Sequence, residues 1–126
     1  MAEGFFRKGL PGVQVSSAGL MAMVGYGADP VAQELMSKAG VDISDHRARM
    51  LNENLVRDAD LILVMEDVQK QMILSQYPFA NGKVFRLDEM DIPDPFQRDR
   101  ATFDKVFSLI DFAVGNWVRR INKISE

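Results

Sequence analysis

The run Leu61-Ile62-Leu63-Val64-Met65, set between Asp60 and Glu66, constrains the fold more than any other stretch of the chain. Five apolar residues in a row leave a strand with no polar face, and such a strand belongs in a parallel sheet covered by helices on both sides. Two further strand patterns accompany it, Val13-Gln14-Val15-Ser16-Ser17 and Lys83-Val84-Phe85-Arg86-Leu87. Helical segments alternate with these strands. The pattern predicts an α/β fold, a three-layer open parallel sheet with right-handed crossovers and helices on both faces.

The helix signals are local. Asp29-Pro30 places a cap before a proline at the first helical position, Val31, Leu35 and Met36 mark an apolar face, and Gly40 is the stop. Ser44 to Met50 and Asn52 to Asp58 read as short helical pieces, and Glu66 to Gln76 as a helix ended by Tyr77-Pro78. Phe103, Val106, Phe107, Ile110, Ala113, Val114 and Trp117 recur at three- and four-residue steps behind a cap at Asp99, which predicts a packed C-terminal helix. At the other end, Ala2-Glu3-Gly4-Phe5-Phe6-Arg7-Lys8 reads as the inside of a helix with no Ser, Thr, Asp or Asn ahead of it. A strand apolar on both faces needs a neighbour at each edge. The sheet is therefore expected to be one strand short, and residues 1–126 to form a single domain lacking its front.

At 126 residues, 47% hydrophobic and 26% charged, the chain has the balance of one packed domain. Fifteen Lys and Arg against eighteen Asp and Glu leave a net charge of -3, so no uniform basic field recommends nucleic acid or an acidic membrane surface as a partner. The start lacks the pattern of a secretion signal, and no apolar run approaches the roughly 18 residues of a membrane span, so the expected location is the cytoplasm. Cysteine is absent, which excludes disulfides, thiolate metal sites and a cysteine nucleophile within these residues. No cofactor is expected.

The stretch with most chemical promise is Asp88-Glu89-Met90-Asp91-Ile92-Pro93-Asp94-Pro95-Phe96, where two prolines restrict the backbone around Asp94. A rigidly placed carboxylate suits a general acid; a solvated acidic turn is the plainer use of the same residues. The carboxylate spacing matches no calcium loop. His46, the one histidine, sits in Ser44-Asp45-His46-Arg47-Ala48-Arg49, where a structural hydrogen-bonding role is the commoner one and the two arginines serve either an anion or surface ion pairs. Gly25-Tyr26-Gly27 lacks the third glycine of a dinucleotide fingerprint. The eight methionines read as core filling.

Taken in order, Ser16-Ser17-Ala18-Gly19-Leu20, Gly27-Ala28-Asp29-Pro30, His46-Arg47-Ala48-Arg49, Asp60 to Glu66, and Ile92-Pro93-Asp94-Pro95-Phe96 make the chain resemble the low-molecular-weight protein tyrosine phosphatases in their bacterial form. Each motif is modest alone, but the ordered set covers nearly the whole chain. The resemblance implies a phosphotyrosine protein as substrate, a bacterial tyrosine kinase among the candidates, and Asp94 as the general acid. It implies that Ser17 and His46 support the phosphate-binding loop, and that Leu20 and Phe96 form apolar walls beside the substrate ring.

The departure from the family pattern carries expectations of its own. Family members open with a strand leading into a Cys-x5-Arg loop, whose thiolate attacks phosphorus and whose amides and arginine bind the phosphate oxygens. This chain has no such loop, so it is expected to be inactive alone. Without an interior strand, Val13 to Ser17 and Leu61 to Met65 would expose apolar edges, pair directly, or drive self-association into a homo-oligomer. The competing reading is a non-catalytic pseudophosphatase or interaction fragment. Arsenate reduction, known on this fold, also needs cysteines.

Overall fold

The computed structural model describes residues 1–20, 25–96 and 98–125. Helix α1 (Ala2–Gly9) comes first in the chain and α2 (Pro30–Lys38) second; α3 (Glu53–Asp58), β1 (Ile62–Val64) and α4 (Asp67–Gln76) follow. A single 3-10 turn (Pro78–Ala80) precedes β2 (Val84–Arg86), and α5 (Arg100–Ser125) closes the chain. No helix among the described residues is long and apolar enough to cross a membrane.

Strands β1 and β2 are parallel, with Ile62 opposite Val84, Leu63 opposite Phe85 and Val64 opposite Arg86. Their alternation sorts side chains between two cores. Leu63 faces a cluster of α1, α2 and α5 residues that includes Phe5, Phe6, Met36, Val106, Ile110 and Val114. Ile62, Val64 and Val84 face the other way, onto Val56 of α3 and Ile73 of α4. Helices thus cover both faces, as the all-apolar strand requires. Met36 and Val56 are wholly buried, and full burial of one such side chain is worth about 1.5–3 kcal/mol.

The caps explain where the helices start and stop. Asp29 accepts the Val31 N–H at 2.8 Å, and Asn52 accepts the Leu55 N–H at 2.9 Å. Glu66 and Gln69 form a reciprocal capping box on α4, and Asp99 accepts the Thr102 N–H at 2.8 Å ahead of α5. Gly40, at φ +82°, ends α2 with its N–H on Ser37 O and the Val41 N–H on Met36 O, a turn that needs a left-handed residue.

Two expected elements are absent. Val13 to Ser17 forms no strand and does not pair with β1; the sheet has two strands among the described residues. Side chains take its acceptors instead: Val15 O receives Arg7 Nε and Nη2 at 3.3 and 3.1 Å, and Ser17 O receives Arg49 Nε at 3.0 Å. Ser44 to Met50 is not helical. It runs as an extended clasp between two passing segments, with Gly19 N–H on Arg49 O, Leu51 N–H on Gly19 O and Ala48 N–H on Tyr26 O, each within 2.9 Å. Backbone pairing to distant segments outbids local helix propensity there.

Candidate active site

The residues just after β1, the loop from Ile92 to Phe96, the first turn of α1 and the clasp around His46 surround a cleft of about 380 Å³. Ser17, His46, Asp94 and Phe96 all line it. Leu20 does not: it packs with Leu51 against the Val56–Ile73 core.

Each wall is fixed by a local device. Glu3, in the first turn of α1, holds His46 Nδ1 at 3.2 Å and also faces Arg7 at 3.5 Å. Met1 caps α1 without a side-chain bond, so the unpaired N–H groups of the first turn lie beside the cleft that Met1 to Gly4 line. Burial lowers the pKa of the Met1 amine, with Glu3 opposing that shift. Asp94 Oδ1 accepts the Phe96 N–H at 2.9 Å, closing a turn that fixes the carboxylate. Ile92, 1% exposed, anchors the loop from below, and its N–H donates to Met65 O at 2.9 Å.

The electrostatics are one-sided. Glu3, Asp29, Glu66 and Asp94 face the cleft, and His46 is the one basic side chain; no lysine or arginine lines it among the described residues. A phosphate dianion there is favoured by the N-terminus of α1, a contribution on the order of 1 kcal/mol, and opposed by four carboxylates. Anion binding at this place therefore calls for an added cation. No group of three or more potential metal ligands exists among the described residues.

Sequence reasoning brought Ser17, His46, Asp94 and Phe96 together through motifs alone. It missed Glu3 and Asp91. Glu3 lay in a helix read only for its missing cap, and Asp91 stood unremarked among neighbouring acids.

In this α/β layer sandwich an aspartate loop and a helix N-terminus converge on one cleft. The sequence profile of the low molecular weight phosphotyrosine protein phosphatase family matches residues 1–126, and the chain belongs to that family. It is 48% identical to a probable low molecular weight protein-tyrosine-phosphatase, EpsP, of Ralstonia nicotianae, across 98% of this chain and 88% of that protein. It is 44% identical to the low molecular weight protein-tyrosine-phosphatase Ptp of Acinetobacter johnsonii, across 96% and 87%. Among solved structures, Vibrio vulnificus Wzb in complex with benzylphosphonate superposes with a TM-score of 0.90 at 32% identity, across 94% and 87%. The YwlE arginine phosphatase from Geobacillus stearothermophilus also gives a TM-score of 0.90, at 26% identity, across 97% and 83%.

Proposed function

We propose that this domain hydrolyses phosphotyrosine in protein substrates once a Cys-x5-Arg loop completes its cleft, with Asp94 protonating the departing phenolate oxygen. The observation that carries the reading is the convergence of Asp94, Phe96, Ser17 and His46 on one cleft at the N-terminus of α1. A thiolate attacking phosphorus forms the S–P bond as the P–O bond breaks, and a carboxylic acid beside the leaving oxygen supplies its proton. Phe96, 47% exposed at the rim, is the ring wall. Leu20, packed on the Val56–Ile73 core and not on the cleft, takes no part in that wall. Ser17 and His46 steady the loop. The ligand of the Vibrio relative, benzylphosphonate, carries an aromatic ring beside a phosphonate, which fits the same substrate class. A bacterial tyrosine kinase is one candidate protein substrate under this reading.

The 126 residues contain no cysteine, so hydrolysis by them alone stays at background. A second reading is supported by β1, whose one strand partner among the described residues is β2. In that reading the chain is non-catalytic and self-associates through the open edge. The test is aryl phosphate hydrolysis by the purified chain, with and without a synthetic peptide carrying a Cys-x5-Arg loop and the strand before it. Activity with the peptide alone supports the first reading. Silence in both, with a dimer in sedimentation, supports the second, and activity of the chain alone that Asp94→Ala abolishes refutes both.

A further inference from the structure

We propose that Asp91 is a positioning residue for Asp94: by fastening the loop after β2 to the start of α4, it sets where the Asp94 carboxylate stands over the cleft. The proposal rests on the reading above for the role of Asp94. Its own evidence is separate.

Asp91 joins three parts of the fold through one oxygen. Its Oδ1 accepts the backbone N–H of Asp67, the first residue of α4, at 2.9 Å and Nη1 of Arg86, the last residue of β2, at 3.1 Å. The Asp67 N–H, with Arg86 adding to it, holds the Asp91 carboxyl below the usual aspartate range. One residue on, Ile92 is buried and bonded to Met65 O. Pro93 and Pro95 then limit backbone rotation on both sides of Asp94, so a displacement at Asp91 is passed on to Asp94 rather than absorbed. The loop ahead of Asp91 lacks this hold, and Met90 is 76% exposed. Glu66 and Gln69, which cap α4, line the cleft, so Asp91 ties the acid's loop to the cleft wall itself. A general acid must come within hydrogen-bond reach of its leaving group, and misplacement by about 1 Å can cost on the order of 100-fold.

Nitrogen-15 NMR of the chain between pH 2 and 7 tests this without requiring activity. The Phe96 amide reports the Asp94 carboxylate, and the Asp67 amide reports Asp91. Amides of Arg86 and of the other titratable cleft residues, Glu3, Asp29, His46 and Glu66, serve as controls. In Asp91→Ala the pH response of the Phe96 amide is expected to change and the Ile92 amide to exchange about tenfold faster. Asp91→Asn should fall between, because its side-chain oxygen still accepts the Asp67 N–H. Arg86→Met, which leaves the core and the Asp67 bond intact, should shift the same amides less, and it decides the matter if Asp91→Ala fails to fold. A Phe96 amide that titrates in these variants as in the wild type overturns the proposal. In the peptide-completed assay, Asp91→Ala is expected to lower kcat about tenfold at unchanged KM. A KM effect alone refutes the positioning role. A silent wild type there removes the acid assignment, while the NMR result still decides whether Asp91 positions Asp94.

Discussion

Glu3 and His46 lie 43 residues apart in sequence and 3.2 Å apart in space, and through this contact the first turn of α1 is held against the clasp that forms the opposite wall of the cleft. Both side chains are partly buried, at 16% and 29% exposure, so the bond is shielded more than a surface pair. Glu3→Ala and His46→Ala are each expected to cost about 1 kcal/mol, with a double variant that loses less than the sum. Urea denaturation of the four proteins measures the coupling. Strict additivity would show that the pair contributes nothing jointly.

Two glycines inside helices should respond to the same substitution with opposite signs. A methyl at Gly4 meets Ile43 Cγ2 and Val41 Cγ1 at 2.9 Å, both on stiff β-branched side chains. A methyl at Gly115 meets only Arg119 Nη1, at 3.6 Å. Gly115→Ala should stabilise by about 0.5–1 kcal/mol through helix propensity. Gly4→Ala forfeits that gain to overpacking, which costs about 1–3 kcal/mol. Thermal melts of the two variants decide it, and a stabilised Gly4→Ala would mean that α1 is not pressed onto Val41 and Ile43.

Stability should fall on acidification below the carboxylate range. Arg100 and then Lys38 hold Glu34 below the ordinary 4.5, the Asp67 N–H and Arg86 hold Asp91 below 3.8, and bonds from Ser44 and Thr102 do the same for Asp42 and Asp99. As pH drops, the unfolded chain takes up these protons first, so their contribution is complete above roughly pH 4.5 and is lost as pH passes down through the folded-state values. Melting temperatures between pH 7 and 2 should trace this decline, with Asp99→Asn flattening part of it. A melting temperature that rises below pH 4 contradicts the assignment.

Lys83 is worth more than a surface lysine. Its Nζ donates to Val56 O at 2.6 Å and Ala59 O at 2.7 Å, closing the C-terminal end of α3 from the position just ahead of β2. Lys83→Met should cost about 1–2 kcal/mol, since it leaves those carbonyls without a partner. Lys105→Met, on the exposed face of α5, should stay within about 0.5 kcal/mol. Equal midpoints for the two variants in chemical denaturation would remove the capping role.

The elements legible in the sequence were those whose signals are local. Asp29-Pro30 and Asp99 each name a helix start within four residues, and the apolar run at Leu61 to Met65 names its own environment. Val13 to Ser17 carried a strand's composition, but a strand also needs a neighbour, and here guanidinium groups of Arg7 and Arg49 occupy its carbonyls. Ser44 to Met50 was misread because its partners, Gly19 and Tyr26, lie more than twenty residues upstream. At the cleft, Asp94 was visible through its flanking prolines. Asp91 and Glu3 were not, since their significance lies in partners that no short motif contains.

The two short strands divide the interior instead of uniting it. Leu63 belongs to the packing of α1 and α5, while Ile62 and Val64 belong to that of α3 and α4. The strand pairing between the halves is a ribbon three residues long, from Ile62 opposite Val84 to Val64 opposite Arg86. The half built on α3 and α4 is therefore expected to open before the other, and slow amide exchange would sort the chain into two populations with separate free energies of opening. The cleft lies at the end of that ribbon, so its walls are fastened to both units.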